Sequence, residues 1–239
     1  MLTLVPGAMG GSETYTRALC GALAESRTTE GTAFVTPPAE TATEGLPTVV
    51  VRDYGEARGG AGRALAMARA ALVPGRFDDR FRGLDVVHYP FTVPVPRVRA
   101  PVAITLHDVQ HLELPQLFTR AERAFRRLAY DRAARRARVV IVPSDFVRER
   151  AVALLRLEPA RVHVIHHGVD HALFRPGSEP REPFLLYPAK TWPHKNHALL
   201  LEAFRLLRRD RADLRLVLTG AGTERLGGPP AILGFRSHR

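Results

Sequence analysis

Short apolar runs rich in β-branched residues alternate with stretches of helical periodicity along almost the whole chain. Residues 2–5, 33–36, 48–51, 86–89, 102–106, 139–143 and 162–166 predict strands. Between them, residues 12–25, 62–73, 119–137 and 145–155 predict helices. Strands that are apolar throughout, separated by helices, fit a mostly parallel sheet covered on both faces. The expected class is therefore α/β and doubly wound. Ligands of such sheets bind at the carboxyl ends of the strands. That rule puts residues 6–11, 88–96 and 107–111, together with Ser144, on one rim.

The alternation breaks near residue 172, where Gly168, Pro176, Gly177 and Pro180 interrupt it. A second series starts at Phe184, with strands over 184–188 and 214–219, a helix over 198–207 and a short strand over 231–235. We expect a first domain over 1–172 and part of a second over 173–239. So few parallel strands have bare edges and close no core of their own. The second domain is thus expected to be incomplete, and the abrupt first strand points the same way for the amino terminus.

Composition narrows the setting. No apolar stretch approaches the roughly 20 residues of a membrane-spanning helix, and no leader with a cleavage site precedes the first strand. The single cysteine, Cys20, shares a helical stripe with Leu19 and Leu23 and reads as a core residue, which excludes a disulfide framework. A cytoplasmic location is the default. The net charge of +11 calls for an anionic partner. Much of it lies from Arg120 to Arg138, where arginines interleave with Ala121, Phe125, Leu128 and Ala129 at helical spacing. Such a helix is either an ordinary solvated face or a peripheral contact with the inner face of an anionic membrane. Nucleic acid is not expected, because no base-stacking or reading-helix module accompanies the charge.

Three segments carry candidate chemistry. Lys190 and Lys195 are the only lysines, every other basic side chain but histidine being arginine. They share a strand-to-helix loop with Trp192, His194 and His197. Two ammonium groups beside a helix N-terminus can hold a diphosphate; a solvated loop is the competing reading. Gly10 and Gly11 precede a helix with Ser12 as N-cap and Glu13 in its first turn, and would admit a phosphate or sugar close to the backbone. A plain tight turn serves equally. The glycines of residues 58–62 lack the Gly-Lys-Ser/Thr ending of a phosphate loop and are discounted. His107 and His111 flank Asp108 at a strand's carboxyl end. An imidazole there suits hydrogen bonding to substrate or proton transfer, or simply binds backbone; no third metal ligand stands nearby.

Six segments in this order resemble the nucleotide-sugar glycosyltransferases of glycosyltransferase family 4, with the GT-B fold. They are Gly10-Gly-Ser-Glu-Thr-Tyr15, Thr105-Leu-His-Asp108, Val142-Pro-Ser-Asp-Phe-Val147, Val164-Ile-His-His-Gly-Val-Asp170, the stretch from Tyr187 to His197, and Leu216-Val-Leu-Thr-Gly-Ala-Gly222. The resemblance implies two Rossmann-like domains, acceptor on the first and sugar nucleotide on the second, with no metal. It implies transfer of a hexose with retention of configuration to a carbohydrate or lipid-linked acceptor. On that pattern Gly10 and Gly11 approach the donor diphosphate, and His107 contacts the donor sugar and is the catalytic candidate. Lys190 and Lys195 would neutralise the leaving diphosphate, and Glu13, Tyr15, Asp108 and Ser144 fall on the acceptor side. Lys190 stands where the family usually has arginine, which keeps the charge but loses the bidentate fork. The family's paired glutamates would lie beyond Gly222 and are missing, so the expectation is a fragment with little activity of its own. A non-catalytic basic module that binds an anionic surface or acceptor is the alternative.

Overall fold

A computed structural model describes residues 1–7, 9–52, 79–178, 180–220, 222–226 and 232–235. The helix expected over 62–73 and the glycine-rich stretch before it lie outside the described residues, as does Ala231 at the start of the last expected strand. Two units pack separately, Met1–Gly168 and Val169–Arg239.

In the first unit helix α1 (Gly11–Glu25) precedes a parallel pair, β1 (Ala33–Val35) with β2 (Thr48–Val50). A four-stranded sheet follows in the order β3 (Val87–Tyr89), β4 (Val102–Thr105), β5 (Val139–Val142) and β6 (Val162–Val164). Every neighbouring pair is parallel, with Tyr89 opposite Ile104, Ile104 opposite Val140 and Val140 opposite Val162. That register stacks the buried residues of each strand in one layer. Ile104, Leu106, Val140 and Val142 are fully buried, joined by Ala151 and Leu155 from helix α5 (Asp145–Leu155). Ser144 starts α5 by accepting a hydrogen bond from Val147 N at 3.3 Å, and Arg156 ends it in the left-handed region at φ 54°.

Residues 2–5 do not form the expected strand. Leu4 N donates to Met1 O at 3.0 Å and closes a turn. Leu2 and Leu4 are nonetheless buried, at 5% and 2% exposure. Alternation reports which side chains are covered; a strand also needs a neighbouring ladder, and here the turn takes the Leu4 N–H instead.

The long basic helix departs from its expected geometry as well. A capping box between Thr119 and Glu122 starts α3 (Arg120–Arg126), which continues through a π segment, Arg127–Asp131, into α4 (Arg132–Arg136). A π segment widens the turn to i→i+5, so positions beyond it are rotated against the 3.6-residue period. The buried face runs from Asp131, the last residue of the segment, through Ala133, Ala134 and Ala137, whereas Phe125 and Leu128 stay 51% and 69% exposed. Of the apolar stripe read from sequence, Ala121, Phe125 and Leu128 therefore face outward and only Ala129 is partly covered.

The second unit is a parallel sheet in the order β7 (Phe184–Pro188), β8 (Arg215–Thr219), β9 (Ile232–Phe235), with helix α6 (His197–Leu207) packed on it. Phe204, Leu216 and Leu218 form its buried centre against Tyr187, Leu200 and Leu201. Gly220 and Gly222, after β8, have φ of 124° and 91°. They lie against the chain that follows β7: a Cβ on Gly220 would stand 2.7 Å from the Ala189 carbonyl carbon, and one on Gly222 2.2 Å from Thr191 Oγ1. The two loops are thus locked together by the lack of side chains. No helix among the described residues is long and apolar enough to cross a membrane.

Gly222→Ala should destabilise the second unit by about 2 kcal/mol, through left-handed backbone strain and the clash with Thr191. A lowered urea midpoint checks it; an unchanged midpoint would mean that the loops separate freely.

Candidate functional site

The carboxyl end of β4 gathers side chains from four segments of the first unit. Thr105, its last residue, is 1% exposed. Its hydroxyl lies 3.1 Å from Tyr15 Oη of α1 and 2.8 Å from His88 Nε2 of β3. Its carbonyl accepts from Thr92 Oγ1 at 2.6 Å, fastening the loop after β3.

Two residues on, the His107 ring stands edge-on to Tyr15, with centroids 5.2 Å apart. His167, from the segment after β6, stacks on the other part of the Tyr15 ring at 4.6 Å and lies 5.9 Å from His107. His166 Nδ1 is 3.1 Å from the Pro143 carbonyl, which ties that segment to the end of β5.

His107 Nε2 meets the Pro90 carbonyl at 2.9 Å. A carbonyl only accepts, so Nε2 carries the proton and Nδ1 holds the lone pair in the neutral ring. Burial pushes the His107 pKa below the ordinary imidazole value, with the Pro90 bond opposing it and His167 adding to it. Burial likewise takes His88 down to about 4, helped by the Met1 amino group and His107. Both rings are neutral at pH 7, and burial keeps the Tyr15 phenol protonated. His88, His107 and Tyr15 can therefore exchange hydrogen bonds with hydroxyl groups as neutral groups.

Helix α1 opens onto the same residues. Gly10, not Ser12, is its N-cap, at φ 61° and ψ −133°, a conformation that suits glycine. From there the Gly10 carbonyl accepts from Glu13 N and Thr14 N, and Ser12 falls inside the first turn. No side chain caps the helix start. Gly11 has open space around it, and Tyr15 sits four residues on, about 6 Å along the axis.

The remaining first-unit candidates make local bonds. Glu13 accepts from Gly7 N at 2.8 Å and pairs with Arg17 at 3.3 Å. Asp108 accepts from Gln110 N at 3.0 Å, at the start of the short helix α2 (Gln110–Glu113), and Ser144 is the N-cap of α5. His111 parts from His107 altogether: it is buried, with Nε2 2.8 Å from Asp131 Oδ1. Three members of the cluster, His88, Thr105 and His167, were not among the candidate site residues read from sequence. The signal was there, since each lies in the last two positions of a predicted strand or directly after one.

In the second unit the lysine loop is ordered by its own side chains. Lys190 Nζ lies 5.4 Å from the centre of the Trp192 ring. Lys195 is exposed at the end of a 3-10 turn, Pro193–Lys195, where its carbonyl accepts from Tyr187 Oη at 2.7 Å. Asn196, at φ 48°, then caps α6 by accepting from Leu199 N at 3.4 Å. Two cations and a helix start therefore share one loop, residues 190–197.

A sequence model of the family described as Glycosyltransferase Family 4 matches residues 9–173, more than half of the chain. Among solved structures, Anabaena Alr3699/HepE in complex with UDP-glucose is 14% identical with a TM-score of 0.61, covering 96% of this chain and 66% of that one. A glycosyltransferase from Rickettsia africae ESF-5 is also 14% identical, with a TM-score of 0.52, covering 99% and 66%. The chain thus spans 66% of the length of either protein. The shared fold is the expected α/β arrangement of GT-B type. No curated protein matches the chain.

Thr105→Val should cost about 1–3 kcal/mol, because it strands the hydroxyl of Tyr15 and Nε2 of His88 in a buried site; urea unfolding measures it. A second expectation concerns acid. His88 takes up its proton near 6.5 when unfolded and near 4 when folded. Between those values the unfolded state binds more protons, so this contribution to stability is complete above pH 6.5 and is lost as pH falls toward 4. His88→Gln should flatten that part of the stability profile between pH 6.5 and 4.5. An identical slope in both proteins would rule it out.

Proposed function

We propose, on the premise that the chain belongs to Glycosyltransferase Family 4, that it transfers a hexose with retention of configuration from a nucleotide-diphosphate sugar to a carbohydrate or lipid-linked acceptor. Residues 1–172 serve the acceptor side and residues 173–239 the diphosphate. The observation that carries the reading is the pre-set neutral His107. Its Nε2–H is committed to the Pro90 carbonyl, which leaves Nδ1 to accept from a hydroxyl of the donor sugar. The other groups follow from charge. As the bond from the anomeric carbon to the leaving phosphate breaks and one to an acceptor oxygen forms on the same face, negative charge grows on the diphosphate. Lys190 and Lys195 stabilise that charge more than the ground state, and the uncapped start of α1 at Gly10 and Gly11 adds unpaired backbone N–H donors. Tyr15, Glu13, Asp108 and Ser144 lie on the acceptor side. No metal is required, since the fixed cations take over charge neutralisation.

The Anabaena relative holds UDP-glucose, which supports a nucleotide-diphosphate donor. The reading includes a peripheral contact with an anionic membrane through the Arg120–Arg138 helix, supported by the exposure of Phe125 and Leu128. UDP is the simplest probe of the diphosphate assignment. Lys195→Ala should weaken UDP binding about tenfold or more, the worth of a charge-assisted hydrogen bond, with unchanged circular dichroism. Calorimetry in which both proteins bind UDP equally would remove Lys195 from the site.

A further inference from the structure

The outward half of the basic helix borders a groove that the chemistry above does not use. It encloses about 1470 Å³, beyond the roughly 300–1,000 Å³ of a small-molecule pocket. Val102 and Val139, the first residues of β4 and β5, line it. Thr105 closes the other end of β4, three residue steps or about 10 Å away. The groove therefore lies at the amino pole of the sheet and the histidine cluster at the carboxyl pole.

Its lining combines two chemistries. Val95, Val98, Phe125 and Leu128 form an apolar wall. Arg97, Arg132, Arg135, Arg136, Arg138 and Arg161 stand around it, against the single acid Glu158. Two of these arginines are spent on the fold: Arg135 donates to the Leu155 carbonyl at 3.2 Å, and Arg161 to the Ala137 carbonyl. The side chains of Arg97, Arg132, Arg136 and Arg138 make no hydrogen bond or ion pair among the described residues. All four are exposed. A soluble anion would satisfy them but leave Phe125 and Leu128 in water. A neutral apolar ligand would leave the guanidinium groups without counter-charge. A molecule with an anionic head and a hydrocarbon body meets both demands.

We propose that this groove seats an anionic phospholipid of a membrane surface, with the head-group phosphate among Arg132, Arg136 and Arg138 and the first part of an acyl chain against Phe125 and Leu128. The proposal rests on the membrane contact in the reading above and adds its place and ligand. It also means that the membrane is held at the pole away from His107, so that the carboxyl-end rim stays open.

The test is co-sedimentation of the intact chain with phosphatidylcholine vesicles, with and without phosphatidylglycerol. Binding should require phosphatidylglycerol. The pair Arg132→Gln with Arg136→Gln should lower partitioning about tenfold or more. Leu128→Ser alone should lower it about tenfold by removing the apolar anchor. These side chains are exposed, so circular dichroism should match the parent. Failure to bind phosphatidylglycerol vesicles would overturn both the groove and the membrane contact. Binding that ignores both sets of substitutions would overturn the groove alone. Loss with the arginine pair but not with Leu128→Ser, alongside equal affinity for duplex DNA, would make the face a polyanion surface and overturn the lipid seat.

Discussion

The first unit depends on how one buried threonine distributes its hydrogen bonds. Thr105 sits at the last position of a parallel strand, where the ladder ends and polar atoms must find other partners. Its carbonyl holds Thr92 in the loop after β3, and its hydroxyl meets both Tyr15 and His88. Three segments distant in sequence are thereby fixed against one residue. Tyr15 in turn sets the planes of His107 and His167. His107 arrives with its tautomer already chosen by Pro90, so its Nδ1 needs no reorganisation to accept a hydrogen bond. Preorganisation of that kind is what a transfer site gains from a rigid sheet end.

Glycine has a comparable part in the second unit. The loops after β7 and β8 come together only because positions 220 and 222 carry no Cβ, Gly220 against the Ala189 backbone and Gly222 against the Thr191 side chain. This contact, with the Tyr187 hydroxyl bound to the Lys195 carbonyl and Asn196 capping α6, sets the path of the lysine loop. The lysines provide charge, and their neighbours provide its position.

The π segment accounts for the largest departure from periodic expectation. A strict 3.6-residue reading places Phe125, Leu128 and Ala129 on one buried face of a helix running to residue 137. One widened turn lets Asp131 reach His111 in the interior and lets Ala133, Ala134 and Ala137 pack below the sheet. Phe125 and Leu128 stay on the outward side, which makes the basic helix a border of the groove.

By itself the sequence determined what periodicity and strand-end chemistry encode. Nine of the strands, the helices around α1, α5 and α6, the rim carrying His107, and the loop with Lys190 and Lys195 were all legible, because apolar spacing and turn residues act locally. Tertiary structure decided what depends on partners. Residues 2–5 were covered but gained no ladder; Ser12 yielded the cap to Gly10 because of one backbone angle. His111 went to the interior while His107, four residues earlier, went to the rim. His88, Thr105 and His167 became one cluster only when parallel pairing put the carboxyl ends of β3, β4 and β6 on one edge of the sheet. A sequence specifies the period and chemistry of each segment, whereas hydrogen-bond partners across the sheet exist only once the strands are in register.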